Sequence, residues 1–172
     1  KYGYDCRDNN LRLTLLRSPR YPHPIEPIHQ TAPEFTDVGD HHFTYAYFPY
    51  TGDWRSAGVV GEARSFNVPA LIVPGTPVRA FPSLLTISRP NIAVSSIKQA
   101  EDGNGLVVRF YEATGVSTDT TVSLGRTPSA ASETDLLERP SKDLILKVDR
   151  LPLRFKPFEI KTVRLVFGAR RK

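Results

Sequence analysis

Short runs of apolar residues, separated by Pro, Gly, Asn and Asp, follow one another along almost the whole chain. Most of these runs alternate between apolar and polar positions with a period of two, as a strand with one buried face does. The clearest example starts at the turn Asp102-Gly-Asn-Gly105, where two glycines can adopt positive φ, and continues into a β-branched and aromatic run. The pattern predicts an all-β fold, an antiparallel β-sandwich with at most one or two short helices.

The segment 41–48 gives a strong strand signal, in which Phe43, Tyr45 and Tyr47 fall on one face. A proline-rich loop over 18–40 separates it from a first predicted strand. One helix is predicted between Trp54 and Phe66, with Asp53 as its N-cap. The remaining signals predict strands at 11–17, 70–73, 83–87, 92–97, 106–111, 120–124, 133–137, 143–148 and 159–167.

Length and composition restrict the classes of protein that fit. A chain of 172 residues suits one domain, or one domain with a long excursion, and can bury a sizeable core. The net charge of +5 is dispersed, with only 169–172 forming a basic run, so no nucleic-acid partner is expected. No apolar stretch approaches the ~20 residues that span a bilayer, so no membrane partner is expected either. The single cysteine excludes an internal disulfide. The absence of methionine, even at position 1, is typical of a piece of a longer protein, with a processed terminus as the alternative.

The sequence offers few groups for catalysis. Asp37, Asp40, His41 and His42 are of the types that bind zinc, but adjacent residues of a strand point to opposite faces. A surface role is therefore favoured over a metal site, and no metal site is predicted. None of the 18 acidic residues stands in a motif typical of glycoside hydrolysis. No catalytic residue is predicted.

Arg17 and Arg20 bracket a Ser-Pro turn directly after the first predicted strand. Each guanidinium offers a rigid fork of donors that suits sugar hydroxyls or carboxylates. From the residues alone, a pair of surface ion pairs explains these arginines equally well.

Several segments, in this order, resemble one known family. They are Lys1-Tyr-Gly-Tyr-Asp5, the stretch 11–22, Asp37 to Ala46, Pro49 to Trp54, the stretch 91–111 with Lys98-x-Ala-Glu-Asp-Gly103, Asp135-Leu-Leu-Glu138 and Pro157 to Thr162. Together they are similar to the C-terminal β region of the glycoside hydrolase family 38 α-mannosidases. The likeness is with the bacterial, archaeal and cytosolic or vacuolar branch, which implies a cytoplasmic location, with the vacuole as the alternative.

In that family the zinc ion, the aspartate nucleophile and the acid/base residue lie in an N-terminal β/α barrel and the helices that follow it. The resemblance therefore implies that residues 1–172 form the C-terminal β-sandwich region of a larger, retaining, zinc-dependent α-mannosidase. A smaller terminal β subdomain and a homo-oligomer both stay open. The implied partners are the N-terminal catalytic domain and a mannose-containing oligosaccharide. The 172-residue chain alone is expected to be inactive and to hold no cofactor.

The resemblance also implies that loops of the sandwich line the rim of the active site. The candidates for this rim are Arg17, Arg20, Asp37 and His41. A different interpretation is a stand-alone carbohydrate-binding or assembly module, because sugar rings stack on aromatic side chains. Exposure of Trp54, Tyr47 and Tyr50 on one surface would favour that module, and packing of those rings against the sandwich would count against it.

Overall fold

The computed structural model describes residues 3–19, 35–72, 74–75 and 83–168. The chain divides into two compact units, Lys1–Phe48 and Pro49–Lys172. We call them unit 1 and unit 2 and describe each by itself.

Unit 1 contains a two-stranded antiparallel ribbon, made of β1 (Gly3–Arg7) and β2 (Asn10–Thr14). Asp8 and Asn9 connect the strands with φ of 50° and 59°. Two consecutive residues at positive φ are typical of a type I′ turn, whose twist matches that of the flanking strands. The predicted strand at 11–17 is therefore present but ends at Thr14, and β1 was not predicted from the sequence.

The prediction of a strand at 41–48 is wrong for this structure, because the whole segment is irregular. Its side chains alternate as in a strand, but a strand also needs a neighbour to complete its hydrogen bonds. None of the described strands pairs with it.

Unit 2 is an antiparallel β-sandwich, as the sequence predicts. One sheet has five strands in the order β4-β5-β10-β7-β8, and the other has three in the order β3-β6-β9. The strands are β3 (Leu85–Ile87), β4 (Ile92–Gln99), β5 (Leu106–Glu112), β6 (Thr118–Leu124), β7 (Ala130–Thr134), β8 (Pro140–Asp143), β9 (Arg150–Phe155) and β10 (Ile160–Val166).

The core of unit 2 is formed by alternate residues of both sheets. Phe110 of β5, Val122 of β6, Phe155 of β9 and Val163 of β10 are all at most 1% exposed. Burial of such side chains is worth about 1.5–3 kcal/mol each. The described part of unit 1 has no buried residue, so this core belongs to unit 2 alone.

The predicted helix is confirmed as α1 (Val59–Asn67), although it begins later than Trp54. Asp53 is not its N-cap. Gly58 holds that position at φ 68°, without a side-chain hydrogen bond, and the backbone oxygen of Asp53 instead accepts from the Ala57 amide at 3.0 Å. The turn closed by the Asp53–Ala57 hydrogen bond occupies the residues before α1, so the helix begins later than the sequence predicts. No helix in the described part of the chain is long and apolar enough to span a bilayer.

Individual strand predictions differ in outcome. Those at 83–87, 92–97, 106–111, 120–124 and 159–167 overlap β3, β4, β5, β6 and β10, and that at 133–137 overlaps only the end of β7. The strand prediction at 70–73 is wrong for residues 70–72, and Val73 lies outside the described residues. The prediction at 143–148 overlaps β8 only at Asp143 and is wrong for the rest. The sequence analysis missed β9, since Pro152 interrupts its alternation of leucines. A proline is tolerated there because β9 lies at the edge of its sheet.

A buried carboxylate closes one end of the sandwich. Glu112, the last residue of β5, is 2% exposed and accepts six hydrogen bonds. The donors are the amides of Thr114, Gly115, Val116 and Phe158, the Thr114 hydroxyl and the side-chain amide of Asn91. One side chain therefore fixes the loop after β5 and the turn before β10.

The same contacts set the pKa of Glu112. Burial raises it, but the hydrogen bonds from Thr114, Phe158 and Asn91 outweigh burial and lower the pKa from 4.5 to about 2. Because the folded-state pKa lies below the ordinary value, the ionised group stabilises the fold fully at neutral pH. This stabilisation is lost as the pH falls through the acid range towards about 2.

We expect Glu112→Gln to lower the free energy of unfolding by about 2–4 kcal/mol at pH 7, because an amide cannot accept all of these bonds. The loss should shrink as the pH is lowered towards the pKa of Glu112. Chemical denaturation of the wild type and the variant across that range measures both effects. The matched control is Glu62→Gln in α1, where the side chain is exposed. Equal stability of the two variants at pH 7 would contradict this role of Glu112.

Candidate functional site

Arg17, the leading rim candidate, lies in an exposed segment just after β2. The next two residues are held to the far end of the proline-rich loop. The Ser18 hydroxyl donates to the Thr36 carbonyl oxygen at 2.5 Å, and the Thr36 amide donates to the Pro19 carbonyl oxygen at 3.0 Å. Since Arg17 precedes Ser18 and Asp37 follows Thr36, these bonds bring the two candidates into one loop cluster. Arg20 lies outside the described residues.

His41 joins the same cluster through a tight turn. Asp37 adopts a φ of 55°, and its carbonyl oxygen accepts a hydrogen bond from His41 Nε2 at 2.8 Å. The His41 ring also stacks on Phe43, with 6.0 Å between ring centroids and 15° between ring planes. Three of the four predicted rim residues therefore lie on one loop cluster of unit 1, which we call the rim cluster (Arg17, Asp37 and His41).

The rim cluster provides hydrogen-bonding groups but no set of metal ligands. Asp37 contacts His41 through its backbone oxygen, and both side chains are exposed. Among the residues that the structure describes, no group of three or more His, Cys, Asp or Glu side chains could hold a metal ion. The donors and acceptors of this cluster suit the hydroxyls of a polar ligand.

Of the three aromatic residues of the alternative binding module, Tyr47 of unit 1 and Tyr50 of unit 2 are 79% and 47% exposed, whereas Trp54 of unit 2 is half-buried. The Arg55 guanidinium lies over the Trp54 ring, 4.5 Å from its centroid, and Arg55 Nε donates to the Thr114 carbonyl oxygen at 2.7 Å. Trp54 also lines a cavity of about 160 Å³ together with Val60, Pro90 and Ala113. A ring covered by a cation and packed against the sandwich is not a platform for a sugar, so this packing counts against the module.

Charged residues form two networks in unit 2, and several of these residues belong to the segments that carry the family resemblance. In the first, Lys98 binds Glu101 and Glu138, and the Glu138 carboxylate also accepts from the Glu101 amide at 2.8 Å. The hydrogen bond from Lys98 is the main reason why the pKa of Glu138 is lowered. Arg164 completes this end of the sheet by donating to both carboxylate oxygens of Asp102, at 2.8 and 2.6 Å.

The second network surrounds Lys161 on β10. Its ammonium binds Glu133 at 2.9 Å and Glu159 at 3.1 Å. Burial lowers the pKa of Lys161, but the hydrogen bonds to the two glutamates outweigh burial, and the pKa is raised. These acids are neutralised by neighbours, so they connect loops to the sheet and do not form a free pair for acid/base chemistry.

Sequence reasoning missed the role of Glu112, the most buried acid of the described chain. A glutamate at the end of a strand is common, and the donors that surround it come from three separate segments, 91, 114–116 and 158. These donors occupy the lone pairs of the Glu112 carboxylate. Like the acids of the two charged networks, this carboxylate is therefore not available for catalysis.

Comparison with known proteins gives consistent matches. Residues 91–163 match the model of the glycosyl hydrolases family 38 C-terminal beta sandwich domain. The chain is 38% identical to alpha-mannosidase 2C1 of Homo sapiens over 96% of its own length, which is 16% of the length of that protein. It is 30% identical to alpha-mannosidase G of Dictyostelium discoideum over 96% of its length, or 15% of that relative. An alpha-mannosidase of Saccharomyces cerevisiae is also 30% identical, over 97% of the chain and 17% of the relative.

Proposed function

Because residues 91–163 belong to the C-terminal β-sandwich domain of glycosyl hydrolase family 38, we propose that the chain is the non-catalytic C-terminal part of an α-mannosidase. We call the longer protein the parent enzyme. Its reaction is the hydrolysis of terminal α-mannosides with retention of configuration. In this proposal the sandwich packs on the catalytic domain, and the rim cluster contributes side chains to the edge of the active site.

This proposal rests on the alignments with the relatives, which cover nearly all of this chain but only a small part of each relative. Relatives named as alpha-mannosidases align with nearly the whole chain, whereas the chain spans only 15–17% of their lengths. Most of each relative therefore lies outside the region that corresponds to this chain. The charged networks of unit 2 agree with a structural role, since their acids are used by neighbouring donors.

We place the zinc ion, the nucleophile and the acid/base residue in the catalytic domain of the parent enzyme. The described residues of this chain do not offer a set of ligands for zinc, so we assign to them contacts at the rim of the active site and no zinc binding. The family resemblance also supports a cytoplasmic location, which fractionation of cells expressing the tagged parent enzyme would test against the vacuole.

We expect the purified 172-residue chain not to hydrolyse a chromogenic α-mannoside, with or without added zinc. The physical reason is that both an acid/base group and a nucleophile are required in a retaining mechanism. Release of the chromophore measures the activity, and the parent enzyme serves as the positive control. Turnover by the chain that disappears after a single substitution within it would contradict the proposal.

We expect Arg17→Ala to reduce kcat/KM of the parent enzyme for α-mannosides about tenfold or more. Loss of a charge-assisted hydrogen bond costs about 1.5–3 kcal/mol when that bond forms in the transition state. Thermal stability should change little, because Arg17 is exposed. Steady-state kinetics and thermal melts separate the two effects.

The matched control is Arg7→Ala, which removes an exposed arginine from β1, where its Nε lies 3.8 Å from Asp8 Oδ2. This variant should keep the kinetics of the wild type. If Arg17→Ala behaves like Arg7→Ala, Arg17 is a surface residue and the rim role fails.

A further inference from the structure

The three-stranded sheet of unit 2 has an accessible face opposite its buried one. Along β6, Asp119 and Thr121 are accessible, whereas the residues on either side of each are buried. Along β9, Pro152 and Arg154 are exposed in the same way. In the antiparallel register Asp119 lies opposite Arg154 and Thr121 opposite Pro152, and residues opposite each other share a face. These four side chains therefore form one patch on the accessible face.

A depression of about 490 Å³ lies at this patch. Ser88 and Arg89, which follow the last residue of β3, line its other side. The Ser88 amide donates to the Thr121 carbonyl oxygen at 3.0 Å, and Arg89 Nε donates to the Asp119 carbonyl oxygen at 3.4 Å. We call the depression the β6 pocket and define it by Arg89, Asp119, Thr121, Pro152 and Arg154.

A second cavity, of about 410 Å³, adjoins the β6 pocket. The two cavities share Arg89 and Asp119. From there the second cavity extends past Ser117 to Asn91 and Thr114, so its lining is mostly polar. The two cavities therefore form one cleft that can hold a ligand of more than one unit.

The charged groups of the β6 pocket disfavour ions of either sign. Arg89 and Arg154 provide guanidinium donors, and Asp119 provides a carboxylate that accepts. Arg154 Nε lies 3.9 Å from Asp119 Oδ1, beyond hydrogen-bond distance, and both side chains are 78% exposed, so each is accessible to a ligand. An anion would be repelled by Asp119, and a cation would be repelled by two arginines. A neutral ligand that both donates and accepts hydrogen bonds satisfies all three groups.

We propose that the β6 pocket and the adjoining cavity bind an oligosaccharide. Each hydroxyl of a sugar ring both donates and accepts hydrogen bonds, so two adjacent hydroxyls can donate to Asp119 and accept from Arg154. The exposed ring of Pro152 provides an apolar surface for the C–H face of the sugar. The next sugar unit occupies the second cavity. No aromatic platform is involved, so the packing of Trp54 does not affect this site.

The site consists of residues of unit 2 alone, whereas the rim cluster belongs to unit 1. Its existence therefore does not depend on the proposed function. Only the choice of mannose as the sugar rests on that function.

Methyl α-mannoside and an α-linked mannotriose are the probes for this site. We expect methyl α-mannoside, with about 13 non-hydrogen atoms, to bind the 172-residue chain with a Kd in the millimolar range. The mannotriose should bind at least about fivefold more tightly, because it also occupies the second cavity. NMR titration of the isotope-labelled chain measures both Kd values. The amides that shift should include those of Arg89, Asp119 and Arg154.

Two substitutions remove the donor and the acceptor separately. Arg154→Ala and Asp119→Ala should each weaken the binding of methyl α-mannoside at least about fivefold. Thermal stability should stay close to that of the wild type, because both side chains are exposed. The matched control is Arg150→Ala, which removes an arginine from the same face of β9, opposite Ser123 and outside the β6 pocket. This variant should bind both sugars as the wild type does.

Inorganic phosphate is the probe that separates a sugar site from an anion site. It should not shift the amides of the β6 pocket at the concentrations at which methyl α-mannoside does. Shifts with phosphate but not with the sugars would overturn the proposal. Equal binding of the sugars by the Arg154→Ala and Arg150→Ala variants would overturn it as well.

The outcomes also separate this inference from the proposed function. If the parent enzyme hydrolyses α-mannosides while the chain binds neither sugar, the oligosaccharide site is wrong and the proposed function stands. If the chain binds mannotriose at the β6 pocket while the parent enzyme has no mannosidase activity, the proposed function fails and the site stands.

Discussion

The carboxylate of Glu112 is the constraint on which one end of the sandwich depends. A charge buried in protein is costly unless donors surround it, and here six hydrogen bonds meet at a single side chain. Those donors belong to the loop after β5, to Asn91 before β4 and to Phe158 before β10. Because of these hydrogen bonds, one side chain connects three segments that are separate in sequence.

The two units contrast in what they bury. Unit 2 has its own core, with Phe110, Val122 and Phe155 almost completely inaccessible, and its charged networks connect the loops to the sheets. Unit 1 exposes every residue of its ribbon and carries the rim cluster. Unit 2 therefore has a hydrophobic core of its own, whereas the described residues of unit 1 include none that is buried.

The sequence predicted the strands of the sandwich well where the alternation of apolar and polar residues within a strand determines its structure, as in β4, β5 and β10. The predictions from the sequence were wrong where neighbouring strands determine whether a segment forms a strand. Segment 41–48 has the pattern of a strand without a described neighbour, and β9 is a strand despite Pro152 because it needs hydrogen bonds on only one edge. The rim cluster was partly predictable, since Asp37 and His41 are close in sequence. The role of Glu112 was not, because two of its donors, Asn91 and Phe158, are distant in sequence.

The central claim is that the chemistry of the parent enzyme takes place outside this chain. A fluorinated α-mannosyl fluoride that traps the covalent glycosyl-enzyme intermediate of a retaining enzyme tests it directly. After digestion of the labelled parent enzyme, mass spectrometry identifies the modified carboxylate. The account predicts that the label lies on a residue outside 1–172. A label on any of the 18 aspartates and glutamates of this chain would contradict it.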